Sequence, residues 1–282
     1  FLKRVLELTY AQKKRLDPEA LLSNQLIKAS GESLLQQSYS FDTSGFCLLR
    51  SDARTVVLKF GGEGIGHGHP DKLSITIHDG KNELVSDFGT SGYGVPDYLK
   101  WYKRTLSHNT VTVDAKDQKR SVGKLLKFNP RSDGGYAEAE TTTAYPGVRM
   151  KRSLDLKGTH LQDVYTCTSD SSHLYEYVIL FNEKPIMDGQ PTATTLTGSE
   201  VHERIHNTFS YPYKSGFTCR TSSASVQFGI PEGEVVEVVL GEASGIPANP
   251  TVKDGPGAGD VAVKPCYPLI TVSYTHLTLP TT

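Results

Sequence analysis

Thr55-Val-Val-Leu-Lys-Phe60 and Leu73-Ser-Ile-Thr-Ile-His78, the second running on into Asp79-Gly80-Lys81, decide the fold class. Both runs are rich in β-branched and aromatic residues, and Asp-Gly is the signature of a tight hairpin turn. The same pattern recurs from about Gln37 onward, in Phe46–Arg50, Thr110–Val113, Val148–Leu154, Leu161–Cys167, Tyr177–Phe181 and Val235–Leu240, with Gly, Pro, Asn and Asp between the runs. Many strands with short links and no helical periodicity between them predict antiparallel sheets packed as a large sandwich, over residues 37–271. The Gly/Pro-rich stretch from Gly245 to Gly259 reads as a surface loop.

The two ends differ from this body. In residues 1–36, Leu2, Val5, Leu6 and Leu8, then Ala20, Leu21, Leu22, Leu26 and Ile27, follow the spacing of amphipathic helices, and Asp17-Pro18 is a good helix start. Two helices are too few to form a core, so they read as the last pieces of a larger helical domain. The last eleven residues, Val272–Thr282, resemble translated library-preparation adaptor, which puts the end of the natural chain near Thr271; the other reading is a final strand with a frayed tail.

Composition narrows the function classes. Thirty Lys+Arg against 31 Asp+Glu give a net charge of −1 over 282 residues, so no global field favours nucleic acid or an anionic membrane. There is no apolar run long enough to span a bilayer. The four cysteines, Cys47, Cys167, Cys219 and Cys266, form no CxxC pair; they read as small buried hydrophobes, and two disulfides of unspecified pairing are the alternative.

Chemistry concentrates in three stretches. Phe60-Gly-Gly-Glu-Gly-Ile-Gly-His67-Gly-His69-Pro-Asp71-Lys72-Leu73 delivers two histidines and an aspartate on a glycine-rich loop just before a strand. Residues i and i+2 of an extended chain lie on one face ~7 Å apart, so His67 and His69 can address one cleft; a solvated hairpin with incidental histidines is the bland alternative. The Lys-Ser/Thr of a phosphate loop is absent. Ser86-Asp87-Phe-Gly-Thr-Ser-Gly-Tyr93-Gly and Trp101-Tyr-Lys-Arg-Thr-Leu-Ser-His108-Asn109-Thr-Val-Thr-Val-Asp114 follow. His69, Asp87 and His108 are a donor set suited to zinc, which takes imidazole nitrogen and carboxylate oxygen; an Asp–His hydrogen bond without metal is the alternative. Lys116–Lys127 is a local basic run in which Lys119 and Arg120 are candidate contacts for an anionic polymer, or a solvated loop; Arg149 and Arg152 are weaker candidates of the same kind.

These three stretches together, with weaker echoes at Arg152-Ser-Leu-Asp-Leu and His173-Leu-Tyr-Glu-Tyr-Val, resemble the heparinase II/III-like polysaccharide lyases, including oligoalginate lyases. The resemblance implies an α/α toroid followed by the β-sandwich, with the active site between them, so that the chain holds only the toroid's last helices. It implies catalytic roles for His67 and Tyr93 and a structural zinc on His69, Asp87 and His108. It also implies an acidic poly- or oligosaccharide substrate of alginate or heparan type and a periplasmic or secreted location. Further catalytic residues would lie on toroid helices upstream of residue 1, so the chain alone is expected to be inactive. The rival expectation is a non-catalytic carbohydrate-binding or structural sandwich.

Overall fold

A computed structural model describes residues 37–62, 68–80, 82–89, 97–213, 216–230, 236–247, 263–273 and 277–281. The helices expected in residues 1–36, together with His67 and Tyr93, lie outside the described residues.

In chain order the first strands are β1 (Tyr39–Phe41), β2 (Phe46–Arg50), β3 (Arg54–Lys59), β4 (Ile75–Asp79), β5 (Asn82–Val85) and β6 (Val111–Val113). The long central strands are β7 (Lys124–Arg131), β8 (Gly134–Tyr145), β9 (Val148–Lys157), β10 (His160–Ser169) and β11 (Tyr175–Phe181). Then come β12 (Ile186–Met187), β13 (Thr192–Ala193), β14 (His206–Tyr213), β15 (Phe217–Arg220) and β16 (Ser225–Phe228), and finally β17 (Val236–Pro247), β18 (Val263–Ser273) and β19 (Leu277–Thr281). They form two antiparallel sheets. The larger runs β1-β2-β3-β4-β5-β11-β18-β17-β14-β13, with β6 also on β11, and the smaller runs β12-β15-β16-β19-β10-β9-β8-β7. The predicted sandwich is therefore the observed architecture.

The strand reading holds where side chains alternate or run continuously apolar, and it stops short elsewhere. β2 falls on the predicted residues, and the Asp79-Gly80 hairpin joins β4 to β5, with Gly80 at φ 55°. β8 and β14–β16 carry too many Gly, Thr, Ser and Pro residues to stand out, and long-range pairing supplies what local propensity does not. Gly245–Pro247, expected in a surface loop, instead complete β17 by pairing with β18. Val272 and Ser273, expected within adaptor sequence, finish β18, and β19 pairs with β10 and β16.

β11 shows how the core is divided. All seven of its residues are buried, which is the burial of a strand covered on both faces. Tyr175, Tyr177, Ile179 and Phe181 point between the sheets, where they join Leu49, Leu58, Met150, Leu154, Leu156 and Tyr165. Val178 and Leu180 point the other way, into a second cluster with Phe88, Trp101, Tyr102, Leu106 and Ile270. This second cluster is the underside of Tyr98–Ser107, a π-helical turn followed by a 3₁₀ turn, which lies over the outer face of the larger sheet. All four cysteines are buried with free thiols, and burial pushes the Cys47 and Cys219 thiols up to about 12.

Candidate metal centre and pocket

An open pocket of about 460 Å³ sits on the outer face of the larger sheet, lined by residues of β2–β4 and of the loops after β3 and β5. Phe46, Lys59, His69, Asp71 and Asp87 are among its lining residues. Asp87 arrives from the end of β5 and His108 from the end of the 3₁₀ turn, just before β6. The His108 Nδ1 lies 3.1 Å from Asp87 Oδ2, and the His69 and His108 ring centroids are 5.3 Å apart. Among the described residues, the side chains whose donor atoms lie close enough to share a cation are Asp71, Asp87 and His108; His69 lies beside them, its ring next to that of His108, but is not in that group.

His108 is held by its neighbour. Asn109 is wholly buried; its Nδ2 donates to the carbonyls of Ile75 and Ser86 at 2.8 and 2.7 Å, and its Oδ1 accepts from the Leu180 amide at 2.7 Å. One amide side chain therefore stitches β4, the end of β5 and β11 together directly beneath the site. A buried amide with its hydrogen bonds met fixes its own backbone, and so the direction in which His108 leaves it.

The loop bearing His69 is anchored as firmly. Asp71 is shared by two ammonium groups, those of Lys59 and of Lys72, the latter at 2.9 Å. Lys72 is wholly buried; its amide donates to Gln118 Oε1 at 2.7 Å, and Gln118 Nε2 donates back to its carbonyl at 3.1 Å. Leu73 takes a left-handed conformation, φ 62°, which is costly for a bulky side chain. Arg152 Nη1 holds it there, donating to the carbonyls of Leu73 at 2.7 Å and Asn109 at 2.6 Å. Arg152 is fully enclosed, paired with Asp163 and packed against the Tyr165 and Tyr177 rings. Considered from sequence as a substrate contact, Arg152 is instead an internal strut: a guanidinium is buried only where its donors are satisfied.

Electrostatics follow from burial and proximity. Burial, aided by nearby His108, pushes the His69 imidazole down to about 4. Burial raises the Asp87 carboxyl, but the charge and hydrogen bond of His108, with the Gly89 amide, outweigh it and hold the group well below the usual carboxylate range. Burial opposes protonation of His108, yet Asp87 raises it above the ordinary imidazole value.

His108 Nε2 is buried and has no hydrogen-bond partner among the described residues. One donor atom each from Asp71, Asp87 and His108 lies within 4.8 Å of the others. An imidazole nitrogen and two carboxylates this close together form a donor set suited to a cation such as zinc. Asp71, whose oxygens already face two lysines, is the donor that sequence reading left out; it lies two residues after His69, in a tight turn closed by the Asp71 amide donating to the His69 carbonyl at 3.0 Å. Lys59 and Asn109 were also missed, since a lysine ending an alternating strand and an asparagine beside a histidine carry no spacing signature. Lys119 and Arg120 are exposed on the segment that Gln118 ties to the His69 loop.

The architecture is that of a two-sheet antiparallel sandwich with a histidine–carboxylate pocket on its outer face. Residues 34–221 match the family described as Heparinase II/III-like, C-terminal, and the chain belongs to that family. It is 28% identical over 153 residues to an exo-oligoalginate lyase of Saccharophagus degradans, covering 45% of this chain and 20% of that protein. It is 27% identical over 221 residues to an alginate lyase of Stenotrophomonas maltophilia, covering 66% of this chain and 30% of that protein. The heparan sulfate lyase HepC of Pedobacter heparinus shares the fold, with a TM-score of 0.65 at 14% identity over 99% of this chain and 41% of that one. The chain thus spans less than a third of the length of the curated relatives it matches.

Proposed function

We propose that the chain is the sandwich part of a polysaccharide lyase that cleaves uronic-acid-containing poly- or oligosaccharides, of alginate or heparan type, by β-elimination. The observation that carries this reading is the Asp87–His108 pair, with Asp71 and His69 beside it at one pocket, in a chain of this family. Elimination across a uronate must neutralise the carboxylate, remove the adjacent ring proton and protonate the departing oxygen. His67, two residues before His69, is assigned to the carboxylate or to proton transfer, and Tyr93, six residues after Asp87, to substrate contact or proton transfer; Lys119 and Arg120 are assigned to attracting the polyanion.

His69, Asp87 and His108 would hold a structural zinc, with Asp71 beside them. Its chemistry there is a fixed positive charge that gathers the donors; elimination consumes no water, so none has to be activated. The depressed His69 is neutral near pH 7 and ready to ligate. Residues 1–36 are assigned to the end of a toroid and Val272–Thr282 to adaptor-derived sequence, and the whole protein to the periplasm or the exterior.

The direct Asp87–His108 hydrogen bond favours one rival, a metal-free binding module. Incubation with alginate and with heparan sulfate, read by oligouronate binding and by unsaturated uronate product, tests the proposal. Binding without turnover is expected of the chain alone. Turnover would overturn the assignment of further catalytic groups to the toroid, and no binding of any uronate oligosaccharide would overturn the lyase reading.

A further inference from the structure

Tyr39, Phe41 and Phe46 are exposed at 48%, 45% and 37%, unusual for three large aromatics within eight residues of one hairpin. They share a face. Phe41 is the cross-strand partner of Phe46, Tyr39 lies two residues further along β1, and the Tyr39 and Phe41 rings meet with centroids 4.7 Å apart. On β2, Cys47 and Leu49 turn into the sandwich core, so Phe46 faces the opposite side, where the pocket is. Phe46 lines that pocket, and the Lys59 ammonium lies 5.9 Å from its ring centroid.

The hairpin is also joined to the candidate site through backbone. Gly45, at φ 72°, accepts hydrogen bonds from the Phe60 and Gly61 amides at 2.7 and 2.9 Å, and a Cβ on Gly45 would overlap Gly61. The aromatic strip thus begins at the root of the glycine-rich loop that leads to His67 and His69. Lys59 and Lys72 share the Asp71 carboxylate, and Asp87 lines the same pocket, so the charges there balance, with the Lys59 ammonium placed at the inner end of the strip. A sugar acid is complementary to this surface. Its ring has an apolar C–H face for an aromatic ring and a carboxylate at its edge for an ammonium group.

We infer that Tyr39, Phe41 and Phe46, with Lys59 at their inner end, form a stacking subsite for a uronate ring adjacent to the one held in the pocket. The inference rests on the lyase reading and gives that site a binding track running outward along β1 and β2. From Phe46 across to Phe41 and on to Tyr39, with its ring centroid 4.7 Å from that of Phe41, the strip offers three adjoining rings.

Calorimetric titration of the 282-residue chain with alginate-type and heparan-type tetrasaccharides, and with a neutral mannotetraose, tests it. The Phe41→Ala/Phe46→Ala variant is expected to lose about tenfold in affinity for the uronate tetrasaccharides, with its melting temperature unchanged, because the rings removed are exposed. Tyr39→Ala alone should cost about threefold, and only for the longer oligosaccharides. Uronate binding unchanged in the double variant overturns the subsite and leaves the lyase reading standing. Aromatic-dependent binding of mannotetraose equal to that of the uronates contradicts both the Lys59 role and the lyase reading. A lowered melting temperature with unchanged affinity overturns the subsite by showing that the rings pack beneath another part of this chain.

Discussion

His108 has one nitrogen facing Asp87 and the other enclosed without a partner among the described residues, and the next residue, Asn109, is fixed by three buried hydrogen bonds. Asn109→Ala removes an acceptor from the Leu180 amide and donors from the Ile75 and Ser86 carbonyls, all buried. Because unmet buried groups cost more than the bonds themselves contribute, the variant is expected to lose about 3 kcal/mol of stability, read as a lower urea midpoint at unchanged slope. An unchanged midpoint would mean that water replaces the side chain. At this scale the sequence was informative about chemistry and silent about support. His69, Asp87 and His108 could be picked out because they stand in stretches whose order resembles the lyase family, whereas the value of Asn109 and Arg152 lies in partners 11 to 79 residues away along the chain.

The β1–β2 hairpin and the glycine-rich loop act as one element because their backbones touch at Gly45 and Gly61. Gly45 sits where the φ of 72° and the absence of a side chain are both required. Gly45→Ala is expected to destabilise the protein by about 2 kcal/mol and to increase hydrogen exchange at the Phe60 and Gly61 amides, which donate to the Gly45 carbonyl. Exchange unaltered at those amides would separate the hairpin from the loop. Elements with strong alternation or continuous burial, such as β2, β9, β10 and β11, were legible from their own residues. β8 was not: its Gly134-Gly135 start and Thr141–Thr143 run look like a turn and a polar loop, and only pairing with β7 and β9 makes them strand. The π-helical turn at Tyr98–Tyr102 was equally hidden, since its five residues are shorter than one helical period pattern requires.

Across the whole molecule, Arg152 links the smaller sheet to the site-bearing side of the larger one, through Asp163 on β10, Tyr177 on β11 and the carbonyls of Leu73 and Asn109. Removing one member of a buried ion pair strands the other, so Asp163→Ala is expected to cost about 3–5 kcal/mol. A paired apolar replacement, Arg152→Met with Asp163→Leu, should recover most of that loss while leaving Leu73 without its tether. If Asp163→Ala leaves the denaturation midpoint unchanged, Arg152 is not the strut described. The sandwich as a whole could be read from composition and strand pattern, but the order of its strands could not. That order places β18 and β17 between β11 and β14, so that Tyr175 pairs with Ser273, 98 positions further along the chain, and it is set by which apolar faces can be covered at once.

The proposed zinc site of His69, Asp87 and His108 is tested most directly by elemental analysis of the purified chain and of Asp87→Ala and His108→Ala, with melting curves before and after chelator. About one zinc per chain, lost in both variants, with a melting temperature that falls on chelation and recovers on zinc addition, is the result expected. A metal-free chain that takes up no added zinc, and whose melting is indifferent to chelator, would contradict it.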